Sequence, residues 1–300
     1  MSERSALEQR LSAPGHRRSP QDLAAAWFMG QVRLTVAGFT ADVPLARLAG
    51  RVRGALGAVL RLAASPEAVA GTACPWQPPC ALDVLYRSQG NITPGLEIPK
   101  PYVLALSREA EFLHVDLGLV GFASEWMEDA AAALTLAWRH HLPDARGSQI
   151  VDRRLGSTET VAVPRGVHRA VLAFETPVEL RFREGPPSDA GAAVGSLLAS
   201  LGNRVSGLAR WQDATVDADW PRLKEAARGI AAHVVSNDRE HWDRHSNRQR
   251  RWIPMQGERP TLVLEGDLEP FLPWLAIGAA VHVGSHAALG MGRYRLLLPT

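Results

Sequence analysis

Lysine is almost missing from this chain: Lys100 and Lys224 are the only two among 33 basic residues. Its positive charge is therefore guanidinium, which favours bidentate contacts with phosphate and stacking on bases, although genomic base composition produces the same bias. Cysteine is equally scarce. Cys74 and Cys80 are the only two, which excludes a disulfide framework and accords with a reducing compartment. A zinc site near them would need two more ligands, and the closest histidine in sequence is His114, so no metal and no cofactor is expected and buried or loop thiols are the default. The first twenty residues are polar and lack the apolar centre of a signal peptide, and no run approaches membrane-spanning length. The expected location is the cytoplasm, with no membrane partner.

At 300 residues, 46% of them hydrophobic, the chain is longer than one typical domain and can bury substantial cores. A formal net charge of +2 does not by itself mark a polyanion binder, so the local distribution of charge decides. Between Pro44 and Pro66 stand Arg47, Arg51, Arg53 and Arg61 with no acidic residue, and between Arg239 and Arg259 six arginines face three acids.

Periodicity gives the organisation. Val32, Leu34 and Val36 alternate with polar residues over Trp27 to Ala37, the pattern of a half-buried strand. Asp42 and Pro44 open a helix whose buried stripe is Leu45, Leu48, Val52, Leu56 and Val59. Gly50, Gly54 and Gly57 lower its propensity and predict a close approach to a neighbouring backbone or to a ligand. Ser65 to Pro101 reads as loops around a short strand near Leu82 to Tyr86, followed by strands at Tyr102 to Leu106 and Phe112 to Val120 and a helix from Glu125 to Leu142. Gly156 to Val167 lacks periodicity and marks a boundary. Beyond it come a strand through Val178, Leu180 and Phe182, a helix bearing Val194, Leu197, Leu201, Val205 and Leu208, and a second helix near Trp220 to Val234. Strands near Arg251 and at Thr261 to Glu265, a short helix from Pro270 and a terminal strand Tyr294 to Leu298 complete the half. Each half approximates strand, helix, two strands, helix, strand, the ferredoxin-like unit; one mixed α/β sheet is the weaker alternative.

Two late segments carry the chemistry: His245-Ser-Asn-Arg-Gln-Arg-Arg-Trp-Ile-Pro254 and the glycine-rich turn His282-Val-Gly-Ser-His-Ala-Ala-Leu-Gly-Met-Gly-Arg-Tyr294. Histidine moves protons near neutral pH, arginine matches phosphate oxygens, and Gly284, Gly290 and Gly292 would let backbone N–H groups approach a polyanion. The bland readings stand beside these. His282 could bond a carbonyl, His241 and His245 could share one face of a surface helix, and Arg248, Arg250 and Arg251 could form a solvated face with Glu240 and Asp243. The glycines could serve only a tight connection.

The order of motifs is informative. Ser-Asn-Arg-Gln, then Ile-Pro-Met-x-Gly, then Gly-Asp-Leu-x-Pro-Phe-Leu-Pro, then His-Val-Gly and Gly-x-Gly-Arg-Tyr, with Arg53-Gly-Ala-Leu-Gly57, Lys100-Pro-Tyr-Val103 and Thr176-Pro-Val-Glu-Leu180 upstream, resembles the CRISPR-associated precursor-crRNA-processing endoribonucleases of the RAMP superfamily from about Gly30 onward. The resemblance implies an α+β fold of two tandem ferredoxin-like, RRM-like domains, 1–160 and 161–300, the second with the glycine-rich loop. It implies a metal-independent endoribonuclease that binds CRISPR repeat RNA and works by 2′-OH attack. His282, His245 and His286 are then the catalytic candidates. Arg248, Arg250, Arg251, Arg293, Gly284, Gly290 and Gly292 are the RNA-binding set, with Arg47, Arg51, Arg53 and Arg61 as a second tier. The chain departs from the family in four places. Where relatives often carry an aromatic residue it has His245, where they usually have glycine it has His286, where they commonly have lysine it has Ser285, and it lacks the histidine many members place near the first helix. The rival implication is a non-catalytic RAMP subunit that binds or caps crRNA beside other CRISPR effector-complex subunits; a generic α/β protein with no RNA role is the third reading.

Overall fold

In the computed structural model of the chain, residues 4–158, 161–163, 165–180, 190–246 and 251–298 are described, with the backbone alone at 190–193 and 245–246. The chain divides into two compact units. The first comprises Met1–His16, Phe28–Glu159 and Gly207–Ala214, and the second Arg17–Trp27, Thr160–Ser206 and Thr215–Thr300.

In the first unit, β1 (Met29–Ala37), α1 (Leu45–Leu62), β2 (Tyr102–Glu109), β3 (Phe112–Val120), α2 (Met127–His140) and β4 (Gln149–Thr158) follow the βαββαβ order. The sheet runs β2-β3-β1-β4 and is antiparallel throughout. Val32, opposite both Leu117 and Leu155, shows the register that sends alternate residues inward. Leu48, Val52, Leu56 and Val59 of α1 are all buried, and α1 packs on α2. The apolar stripe read from the sequence is thus the core face of the helix.

The second unit repeats the plan with β5 (Arg169–Phe174), α3 (Ala190–Ala209), β6 (Ala231–Ser246), β7 (Arg251–Glu265), α4 (Leu272–Val281) and β8 (Tyr294–Leu297). Its sheet runs β6-β7-β5-β8, the same order as the first, again antiparallel. Leu172, Leu197, Leu201, Leu264, Leu275 and Tyr294 meet in its core, where the Tyr294 hydroxyl donates to the Leu275 carbonyl at 2.6 Å. Two antiparallel βαββαβ sheets with one strand order make the duplicated ferredoxin-like plan, and the single mixed sheet is set aside.

Several sequence expectations are corrected. Residues Ala81–Tyr86 form a helix rather than a strand: Asp83 is buried and pairs with Arg87 four residues on, a spacing only a helix brings together. Gly156 lies inside β4, a polar strand on the sheet edge whose exposed side chains give no alternation to read. Val178 makes an isolated bridge to Glu258, since the next rung of a ladder in that register would need an N–H from Pro260, which has none; the strand proper is Arg169–Phe174, and Phe182 lies outside the described residues. The helix from Trp220 stops at Ala227, and Val234 belongs to β6. There Val234 and Val235 are 55% and 67% exposed, so pairing with β7, not burial, holds the strand. His241 and His245 therefore lie on a strand, not on a helix face. In α1 the close approach is to an aromatic ring: a Cβ on Gly57 would lie 2.7 Å from Tyr86, while Gly54 faces open space.

Candidate functional site

The glycine-rich turn starts where α4, apolar all round, runs out at Val281. His282 follows with φ 63° and ψ 171°, a region that glycine normally occupies. The Val283 N–H donates to the Gly292 carbonyl at 3.0 Å and closes the bend, which sets His282 opposite Arg293. The bend is then seated on Thr176–Glu179. Gly292 N–H donates to the Pro177 carbonyl at 2.8 Å, Ser285 N–H to the Glu179 carbonyl at 2.8 Å, and Arg293 N–H to the Thr176 hydroxyl at 2.9 Å.

Two glycines are sterically required. A Cβ on Gly284 (φ 81°) would lie 2.6 Å from the Glu179 carbonyl oxygen, and one on Gly292 (φ 72°) 1.8 Å from that of Val283. Gly290 caps the short turn Ala287–Leu289 at φ 87°. Val283, Ala287, Leu289 and Met291 are buried, the last two with Met255 in a cluster that Trp242 and Ile253 complete. The glycines thus fit the bend to its own support, and several N–H groups anticipated for a polyanion are spent on internal carbonyls.

The histidines occupy contrasting environments. His282 is 2% exposed, and its Nδ1 is enclosed with no hydrogen-bond partner among the described residues. Burial, then the positive charges of Arg204 and Arg293, lowers its pKa from an ordinary 6.5 to about 3, against smaller opposing contributions from backbone hydrogen bonds at Met291 and Ala287. It is neutral at neutral pH. His286, left-handed at φ 62°, is partly exposed, with Nε2 3.6 Å from a Glu179 carboxylate oxygen. His245 faces Trp252 across the β6–β7 ladder, but its side chain lies outside the described residues.

Arg204 was not singled out by the sequence, although an arginine between Leu201 and Val205 of an apolar stripe is a signal in itself. Its Nε donates to the Val281 carbonyl at 2.8 Å, and its Nη2 is enclosed without a partner among the described residues. Burial pulls its pKa down to about 10. Arg293 bonds Glu175 at 2.9 Å, and Arg295 shares that carboxylate. Arg204, His282 and Arg293 therefore converge on the neck of the bend. Arg251 opens β7 and is exposed, while Arg248 and Arg250 lie outside the described residues.

The first-unit arginines meet different partners. Arg51 is ion-paired with Asp144, and Arg53 donates to the Tyr102 hydroxyl at 2.8 Å with its guanidinium 4.9 Å from the Tyr86 ring centre. Arg47 is partly buried, with its Nε enclosed and without a partner among the described residues, and Arg61 is exposed. Cys74 and Cys80 are buried free thiols; among the described residues no group of His, Cys, Asp and Glu is arranged to hold a metal ion, and no helix is long and apolar enough to cross a membrane.

Residues 172–294 match the family model of the CRISPR-associated endoribonuclease Cas6. Among solved structures, a Cas6 point mutant is 16% identical with a TM-score of 0.52, over 92% of this chain and 100% of that one. A Cas6 complex with a substrate mimic gives 16% and 0.52 over 90% and 99%, and Cas6 of Thermus thermophilus 16% and 0.48 over 91% and 100%. No curated protein matches. The first two likenesses show the fold, and the family model falls on the half that carries the glycine-rich turn. Over residues 172–294 the chain thus matches the model of the CRISPR-associated endoribonuclease Cas6, and its fold resembles that of solved Cas6 structures, in the direction its motif order implies.

Proposed function

We propose that this protein binds CRISPR repeat RNA and cuts precursor crRNA without a metal, leaving 5′-hydroxyl and 2′,3′-cyclic phosphate ends. The RNA supplies its own nucleophile, since a 2′-OH is tethered beside the phosphorus it attacks. The 2′-oxygen forms the new bond to phosphorus, its proton passes to a base, the bond to the 5′-oxygen breaks, and that oxygen receives a proton. The observation that carries the reading is His286: it stands partly exposed, 3.6 Å from the Glu179 carboxylate, on a bend whose neck gathers Arg204 and Arg293. Glu179 orients the imidazole for proton transfer, and the partly exposed Arg293 stabilises charge on the phosphate oxygens. His245 is the second proton carrier, and His282 acts as a neutral hydrogen-bonding wall. Arg248, Arg250 and Arg251 contact phosphates along the stem, with Arg47, Arg51, Arg53 and Arg61 as secondary contacts. The product stays available to other effector-complex subunits, in the cytoplasm.

One observation favours a second reading, a crRNA-binding subunit that does not cut: the bend is buried, its N–H groups are largely satisfied, and Ser285 stands where the family's cation is common. Labelled repeat RNA incubated in EDTA separates the two. Cleavage that a 2′-deoxy nucleotide before the cut abolishes, and that His286→Ala slows by about 10²–10⁴ with binding retained, supports the enzyme. Tight binding of RNA that remains intact supports the scaffold, and cleavage that EDTA stops removes the metal-free mechanism.

A further inference from the structure

Cys74 and Cys80 sit at the neck of a loop in the first unit, and only the loop is open to solvent. Residues 75–78 are exposed, while each cysteine keeps 8% of its surface accessible to a solute the size of water. Both ends of the loop are anchored. The Cys74 N–H donates to the Asp83 carboxylate at 3.3 Å, the Trp126 indole N–H donates to the Pro79 carbonyl at 2.7 Å, and Cys80 leads directly into the helix Ala81–Tyr86. The Cys80 N–H then donates to the Cys74 sulfur at 3.3 Å, and the two thiols are hydrogen-bonded to each other. That contact puts the pair within the span of a disulfide, which needs about 3.5–4.5 Å between β-carbons.

The two sulfurs are not equivalent. Ser65 is fully buried and its hydroxyl oxygen accepts from the Ala68 N–H at 3.1 Å, which leaves the hydroxyl proton to donate to the Cys74 sulfur. Burial disfavours a thiolate at Cys74, but the donors around it, the Ser65 hydroxyl, the backbone at Cys80 and Trp76 and the Cys80 thiol, outweigh burial and hold its pKa below the ordinary value. Cys80 is pushed the other way, by burial first and also by the neighbouring Cys74. A sulfur that ionises readily attacks, and a protonated thiol held against it resolves the product. Packing alone would require neither the contact nor the asymmetry.

We propose that Cys74 and Cys80 form a reversible oxidation site that reacts with a hydroperoxide and closes to a disulfide. The Cys74 thiolate attacks one peroxide oxygen: the S–O bond forms, the O–O bond breaks, and the departing oxygen takes up a proton. The Cys80 sulfur then gives up its proton and attacks the Cys74 sulfur. The S–S bond forms, the S–O bond breaks, and the oxygen leaves as water with that proton. The two sulfurs lose one electron pair between them, and the peroxide is reduced by it. Because both ends of the loop are anchored, the second step is intramolecular and runs at a high effective concentration. Exchange with a small dithiol restores both thiols. The site stands apart from the RNA-cleaving reading and does not depend on it.

The test treats the full chain with hydrogen peroxide, alkylates it in denaturant and reads the intact mass. Wild-type protein is expected to lose the mass of the two thiol hydrogens, to resist alkylation at both cysteines, and to regain both thiols with dithiothreitol. Cys80→Ser is expected to stop at a sulfenic acid on Cys74, which dimedone captures, and Cys74→Ser is expected to react at least about 10-fold more slowly than wild type. Wild-type cysteines that both remain open to alkylation, at peroxide concentrations that oxidise free glutathione, overturn the proposal without calling on any variant. Dimedone capture on Cys80 in Cys74→Ser at the wild-type rate overturns it too, because the attacking sulfur would then not be Cys74.

Discussion

Three residues separate His282 from His286, and the physics of the two side chains is opposite. His286 keeps one edge in solvent and a carboxylate within reach, the setting in which an imidazole can trade protons. His282 is walled in beside Arg204 and Arg293, and its pKa falls to about 3 because burial and both cations disfavour the charged ring. The folded protein thus resists a proton that the unfolded chain accepts near pH 6.5. The histidine's contribution to stability is complete above about pH 6.5 and is lost as the pH falls towards 3, with a slope of up to about 1.4 kcal/mol per pH unit. Urea denaturation at pH 7, 6, 5 and 4 is expected to show this slope, and His282→Gln is expected to flatten it. An unchanged slope in that variant would show that the ring is solvated.

The glycine-rich bend and the helices show how differently one residue type works in different elements. On Gly292 a Cβ would meet the Val283 carbonyl oxygen at 1.8 Å, with φ at 72°, so Gly292→Ala must open the bend or distort its neck. It is expected to destabilise the protein by about 2–4 kcal/mol and to weaken RNA binding. Gly54→Ala in the middle of α1 meets nothing within 4 Å and is expected to stabilise by about 0.5–1 kcal/mol. Thermal melts of the two variants side by side check the contrast. The sequence motif identified the bend, while the acceptors of its N–H groups depend on Thr176–Glu179, more than a hundred residues away. The long β6–β7 hairpin escaped sequence reading for a related reason: much of it is exposed, and exposed strands carry no burial period.

Over the whole molecule, several guanidinium groups are answered by the protein's own carboxylates: Arg33 by Asp116, Arg87 by Asp83 and Glu8, Arg153 by Glu128, Arg239 by Glu258 and Arg259 by Asp238. With a net charge of +2 and part of the guanidinium charge committed to these pairs, the proposed RNA binding is expected to rest on a small number of phosphate contacts plus stacking and base contacts. The logarithm of the binding constant is therefore expected to fall against the logarithm of salt concentration with a slope of about −2 to −4, as three to five phosphates would give. Titrations between 50 and 400 mM salt, on the order used for such analyses, measure it; a much steeper slope would mean that the intramolecular ion pairs open on binding.

The sequence alone carried the family resemblance, because motif order survives in the chain, and with the approximate order of elements this predicted the duplicated βαββαβ plan, while exposed strands such as β4 and the β6–β7 hairpin left no burial period to read. It could not decide which histidine is buried and which is open, or that Arg204 joins His282. Those facts depend on pairings between distant segments, where burial and neighbouring charge set the chemistry of a side chain, and only the folded chain brings such segments together.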